Sequence, residues 1–204
     1  MNSYFIKTKI GIFPSDWEII SLNENLNFMT DYVANGSFQS LRNNVSVSDK
    51  INYAYFVRLY DLRRGLGHSS QKYIDKPSFD FLKKSSLKKN DILISNIGSV
   101  GETYLISSVD YPSSLGPNMI LLRCNDKTDP EFLFYFLQSQ VGKKSISSAM
   151  AGSTQPKINK TDLKKITSIL PPLPEQRKIA EILSEIEKLK QCCIDEIKKI
   201  DLVE

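Results

Sequence analysis

The sequence predicts an α+β fold: a mixed α/β head over residues 1–170, then a proline hinge and a long C-terminal coiled-coil helix over 171–204. Three observations lead there. Up to residue 170, short apolar stretches alternate with turn-forming Gly, Pro, Asn and Ser. Pro171, Pro172 and Pro174 then fall together just ahead of Glu175-Gln176-Arg177. Beyond them Ile179, Ile186, Cys193 and Ile200 recur every seventh residue, with Ile182, Leu183, Leu189 and Ile197 between. A period near 3.5 draws an apolar seam along one helix, the pattern of a coiled coil.

Within the head, Ile12-Phe13-Pro14-Ser15-Asp16-Trp17-Glu18 predicts a turn into a short element anchored by Trp17. Residues 23–49, rich in Asn, Ser and Asp, predict loop. Ile51, Tyr53, Tyr55, Val57 and Leu59 alternate, which predicts a strand. Asp61 to His68, with Arg63, Arg64, Gly65 and Gly67, predicts an exposed basic turn. Further strands are expected at 91–97, 103–109 and 119–123; Gly98-Ser99-Val100-Gly101 makes the tight turn between the first two. Asp129-Pro130-Glu131 opens a helix with a cap, a first-turn proline and a first-turn acid, and Phe132, Leu133, Phe136, Leu137 and Val141 follow at helical spacing. A loop over 150–155 leads to a short strand ending at Ile169-Leu170.

The 204 residues are 41% hydrophobic and 25% charged, enough for one well-buried domain and an appendage. No apolar run is long enough to span a membrane, and the N-terminal residues carry no secretory pattern. Cys124, Cys192 and Cys193 have neither metal spacing nor a disulfide framework, which fits a reducing cytoplasm. The net charge of +4 is unevenly spread. Residues 58–89 hold nine Lys and Arg against three Asp, a net of +6, and residues 143–165 hold six Lys against one Asp, a net of +5. From Glu175 onward six basic residues face eight acidic ones, a net of −2. A basic head suits phosphates, and an acidic helix does not. The two parts have different partners.

Four segments taken in order resemble the specificity subunit of type I restriction-modification enzymes. They are residues 12–18, the stretch Leu87-Lys88-Lys89-Asn90-Asp91-Ile92-Leu93-Ile94-Ser95 through Gly98-Ser99-Val100-Gly101, residues 151–159, and Pro171-Pro172-Leu173-Pro174-Glu175-Gln176 with Ile179-Ala180. The likeness covers nearly the whole chain. It implies a target-recognition domain over 1–170 and a spacer helix from 171. Members of that family usually carry two of each, so this chain resembles half a subunit.

The basic stretch 60–76 is the first choice for DNA contact. Arg63 and Arg64 sit beside glycines, and an arginine fork suits guanine O6 and N7. Tyr60, His68, Gln71, Lys72, Tyr73 and Lys76 are expected to add hydrogen bonds, apolar contacts and charge. The alternative is a merely solvated loop. Ser153, Thr154 and Gln155, close in sequence to Lys143, Lys144 and Lys157, are expected to touch phosphates; the hydroxyls serve equally well as turn or helix caps. Gly98 to Gly101 lacks the lysine of a phosphate loop, and His68 is the single histidine. No catalytic, metal or cofactor site is expected.

The resemblance implies a non-catalytic DNA-reading chain that directs two partners. One is a methyltransferase subunit using S-adenosylmethionine on adenine, the other an ATP-dependent nuclease-translocase subunit. With one head per chain, a homodimer through Ile179, Ile182, Leu183, Ile186, Leu189, Cys193, Ile197 and Ile200 restores a bipartite target. Two other readings stay open: the recognition end of a fused restriction-methyltransferase, and a pure protein adaptor.

Overall fold

The computed structural model describes residues 4–152 and 156–201, with side chains up to 199. Among the described residues, twelve strands form four sheets. In chain order they are β1 (Phe5–Thr8), β2 (Gly11–Pro14), β3 (Glu18–Ser21), β4 (Leu26–Asp31), β5 (Val47–Ser48), β6 (Ala54–Val57), β7 (Lys72–Ile74), β8 (Ile92–Ser95), β9 (Thr103–Leu105), β10 (Ser113–Leu115), β11 (Met119–Cys124) and β12 (Thr167–Leu170). The helices are α1 (Phe38–Asn44), α2 (Leu59–Arg64), α3 (Lys76–Phe81), α4 (Pro130–Gln138), α5 (Gln140–Ser148), α6 (Lys160–Lys165) and α7 (Leu173–Asp201).

The middle layer is an antiparallel sheet in the order β4-β11-β8-β9. Ile92, Leu93 and Ile94 are all fully buried, as are Ile120, Leu121 and Leu122. Successive side chains on a strand point to opposite faces, so an unbroken apolar run means cover on both sides. On one side Ile92, Ile94, Ile120 and Leu122 meet Phe132, Leu133, Phe136 and Leu137 of α4, with Ile146, Leu163 and Ala180. On the other, Leu93, Met119 and Leu121 meet Val57 and Leu115 of a second sheet, ordered β10-β6-β7-β5. That sheet packs its far side on Leu41 and Leu82 through Ala54, Phe56 and Ile74. The head is therefore layered: helices, sheet, sheet, short helices.

Several expectations hold. Helix α4 begins at Pro130 with the Asp129 side chain accepting from Phe132 N; β8 and β9 lie inside the predicted strands, and β11 runs one residue beyond its own. Gly98 and Gly101 take φ of 77° and 92° in the turn between β8 and β9. Trp17 stacks on Phe13 with ring centroids 5.8 Å apart.

Others are corrected. Residues 23–49 are not loop: they form β4, α1 and β5, short elements whose apolar content is thin. Only Leu41 of α1 is buried, and Ser37 caps that helix by accepting from Ser40 N. The strand expected over 51–59 is only Ala54–Val57, because Ile51 is 80% exposed and Leu59 already begins α2. The first half of the basic turn expected at 61–68 is the end of a helix, and its Asp61 is fully buried.

The proline segment is a clamp. Gln176 is fully buried and its amide nitrogen donates to Pro171 O (2.7 Å) and Lys127 O (3.0 Å), while its Oε1 accepts from Asp129 N (2.8 Å). Glu175 Oε2 accepts from Trp17 Nε1 (3.2 Å). The first turns of α7 pack on α4 and bury Ala180, with Ile179 against the same core. From Glu185 to Lys199 every side chain is exposed. The helix leaves the head as a rod about 40 Å long overall.

Candidate nucleic-acid interface

Helix α2 is organised by one buried carboxylate. Asp61 accepts from Arg58 N (2.8 Å), Arg58 Nε (2.9 Å) and Arg58 Nη2 (2.7 Å), and lies 3.0 Å from His68 Nε2. Ser70 N donates to His68 Nδ1 (3.1 Å), which assigns the proton to Nε2 and makes the histidine a donor to Asp61. Burial alone would raise the Asp61 carboxyl; the hydrogen bonds and charge of Arg58, with His68, outweigh that and hold it below the ordinary carboxylate value. This knot fixes the start of the helix and the loop that follows it.

Tyr60, nearly half exposed, sits on top of the knot. His68 packs edge-on against its ring, and the guanidiniums of Arg64 and Arg58 lie 4.9 and 5.6 Å from its centroid. Such stacking holds long cationic side chains in place without removing their charge. Arg63 points elsewhere: its Nε and Nη2 donate to the two oxygens of Glu102 at 2.9 and 2.5 Å, and Nη2 also donates to Ser99 Oγ at 2.8 Å.

Ser99 and Glu102 belong to the glycine turn between β8 and β9, and that turn is where the predicted groups meet. On its other side Gly98 N donates to Pro156 O (3.3 Å), and Ile97 bridges to Lys157. Val100, Gly101, Glu102 and Thr103 also form one wall of a cleft of about 710 Å³, whose opposite wall is α5 with the exposed Lys143 and Lys144. Arg63 of the basic helix, the lysine pair and Lys157 thus converge although 80 or more residues separate Arg63 from Lys143, Lys144 and Lys157. Ser153, Thr154 and Gln155, expected to touch phosphates, lie outside the described residues.

Other expected residues are placed differently. Gln71 is 1% exposed, a correction to its expected base contact: its amide donates to Lys72 O (3.1 Å) and Phe56 O (3.4 Å), and its Oε1 accepts from Gly67 N. It props the loop from within. His68, with its ring held by Asp61 and Ser70, also supports the loop. Lys72 pairs with Asp49, and Lys76 pairs with Asp80 while its ammonium lies 5.0 Å from the Tyr53 ring centroid. Tyr73 is half-buried among Tyr55 and Tyr111. These groups belong to the second sheet and its edge, apart from the glycine turn.

Sequence reasoning missed Glu102, Ser99 and Arg58. Their signal was available in one case only: Asp61 three residues after Arg58 is a helix-start pairing. Among the described residues no group of three His, Cys, Asp or Glu side chains could hold a metal ion, and no helix is long and apolar enough to cross a membrane. Burial pushes the Cys124 thiol up to about 12, so it stays protonated and inert.

A family model described as the type I restriction modification DNA specificity domain matches residues 14–199. The chain belongs to that family. Two proteins of Methanocaldococcus jannaschii, named as specificity subunits of its MjaX and MjaVIII type I restriction enzymes, are 32% and 29% identical to it, each over 91% of this chain. The chain spans only 43% of the length of either. The crystal structure of the HsdS subunit from Thermoanaerobacter tengcongensis superposes with a TM-score of 0.59 at 21% identity, covering 87% of this chain and 39% of that one. A chain from a structure of the assembly and conformational transition of a type I restriction-modification system superposes at 0.64 and 22% identity, covering 89% and 40%. Those likenesses establish the fold of head and long helix.

Proposed function

We propose that this chain is a DNA-reading module of a type I restriction-modification system and performs no reaction itself. The observation that carries the reading is the convergence of Arg63, Lys143, Lys144 and Lys157 around one glycine turn, from segments far apart in sequence, with Arg64 on the same short helix as Arg63. Cations gathered by folding on one face suit a polyanion, and a backbone without side chains at Gly98 and Gly101 allows close approach. The duplex lies against this face; Tyr60 and Arg64 reach toward bases, and the lysines hold phosphates.

Helix α7 supplies the second half of the proposal. Its exposed apolar side chains pair with those of a second copy, antiparallel, so two heads read two half-sites. The dimer directs a methyltransferase subunit and a restriction subunit to an interrupted, palindromic target in the cytoplasm. The protein-adaptor reading has no explanation for the gathered cations.

Titration of a duplex at two salt concentrations tests the first half. Affinity falls steeply with salt, and charge reversal of Arg63 and Arg64 together abolishes binding. Salt-independent binding, or full affinity in the double reversal, removes this face from consideration. Methylation assays with the partner subunit test the second half: an asymmetric bipartite product from the homodimer refutes the two-fold arrangement.

A further inference from the structure

Glu102 is an acid in a cationic place. It lines the cleft that Lys143 and Lys144 border, and both its oxygens grip Arg63 from 39 residues away, at 2.5 and 2.9 Å. The Tyr104 hydroxyl donates to Glu102 Oε2 at 3.2 Å, so the carboxylate is itself held from β9. A face built only to attract phosphates would have no acid here. Folding gains little from the pair either, because its side chains are 48% and 37% exposed and water screens them. What the pair does provide is orientation. A guanidinium gripped along its Nε–Nη2 edge loses rotation about its last torsions.

The geometry also says which edge remains. Among the described residues Nη1 of Arg63 has no partner, and the second proton of Nη2 goes to Ser99 Oγ at 2.8 Å. A serine hydroxyl is a neutral acceptor that a stronger one displaces. The Nη1–Nη2 edge is therefore left for a pair of acceptors spaced like guanine O6 and N7. Resting on the reading that this face takes duplex DNA, we infer that Glu102 is a positioning residue for sequence readout. It presents the Nη1–Nη2 edge of Arg63 to a guanine, with Ser99 Oγ holding the acceptor's place until the duplex arrives.

The test begins with the wild-type chain selecting its preferred duplex from a randomised pool. Glu102→Ala, Arg63→Ala, the double variant and Glu102→Gln are then titrated against the selected duplex and a scrambled one. Electrostatics alone predicts that losing the acid tightens both duplexes alike. Positioning predicts tighter scrambled binding together with a fall of about tenfold in the selected-to-scrambled ratio. Arg63→Ala gives the same fall, and removing Glu102 in that background adds nothing, because the carboxylate acts only through the guanidinium. Glu102→Gln keeps one oxygen for Arg63 and recovers part of the ratio. An unchanged ratio in Glu102→Ala, or additive losses in the double variant, overturns the inference. A wild-type chain without salt-dependent duplex binding overturns the DNA reading itself, and the inference with it.

Discussion

Asp61 shows how a charged residue in a basic stretch can be structural. Counted in the sequence it merely offsets one arginine; in the fold it is fully buried and accepts three hydrogen bonds from Arg58 alone. Removing one partner of a buried pair strands the other, so Asp61→Ala is expected to cost about 3 kcal/mol of stability, read by urea denaturation. The pH dependence has a definite sign. A carboxyl held below its ordinary value of 3.8 contributes fully above that pH and loses its contribution as pH falls through the folded value. The gap between wild type and Asp61→Ala therefore narrows as acid approaches and passes 3.8, and a gap that stays constant from pH 7 to pH 3 contradicts the assignment. Residue types alone marked Arg63, Arg64 and the lysines as a cationic group. They did not show that Gln71 turns inward, because an amide's direction depends on which backbone groups the loop leaves open.

At the scale of elements, legibility followed chemistry that is local. Helix α4 was readable because its cap, its proline and its apolar spacing lie within nine residues. Strand β4 was not, because its LNFMTD pattern buries only Thr30 and its pairing comes from β11, some 90 residues later. The junction Pro171–Ala180 was legible as a boundary yet not as a clamp. Its prolines announce a break, while the rigidity comes from Gln176, whose partners at Lys127 and Asp129 belong to the approach to α4. Gln176→Ala leaves two carbonyls and one backbone N–H without their bonds in a buried place. The expected loss is about 2–3 kcal/mol. Hydrogen exchange should show the effect concentrated in residues 171–183 and the start of α4. Uniform loosening of the whole head would mean that Gln176 serves the core generally and does not set the helix's exit.

At the scale of the molecule, a rigid exit matters because the described side chains of the rod beyond Ser184 are all exposed. Ile182, Ile186, Leu189 and Ile197 are between 46% and 67% exposed, and Cys193 shares their seam. Scattered exposed apolar side chains are ordinary; a line of them repeating at coiled-coil spacing on one helix is not. A helix swinging freely would set no distance between two heads, whereas one clamped by Gln176 and Trp17 carries the head's orientation along its length. In the proposed dimer, pairing the seams of two copies would fix both the spacing and the relative facing of two cationic surfaces. Ile186→Asp with Leu189→Asp places two charges where the partner's apolar side chains belong. Sedimentation velocity is expected to show the wild-type dimer and a monomeric double variant, with the dimer constant weakened about 100-fold or more. Because those side chains are exposed and lie outside the head's core, the variant is expected to keep its circular dichroism and still to bind a duplex carrying one half-site. It loses the added affinity that a second half-site at the correct spacing gives the wild type. A wild-type chain that stays monomeric at high concentration, or a double variant that still prefers the two-part duplex, rules out the seam as the ruler between heads.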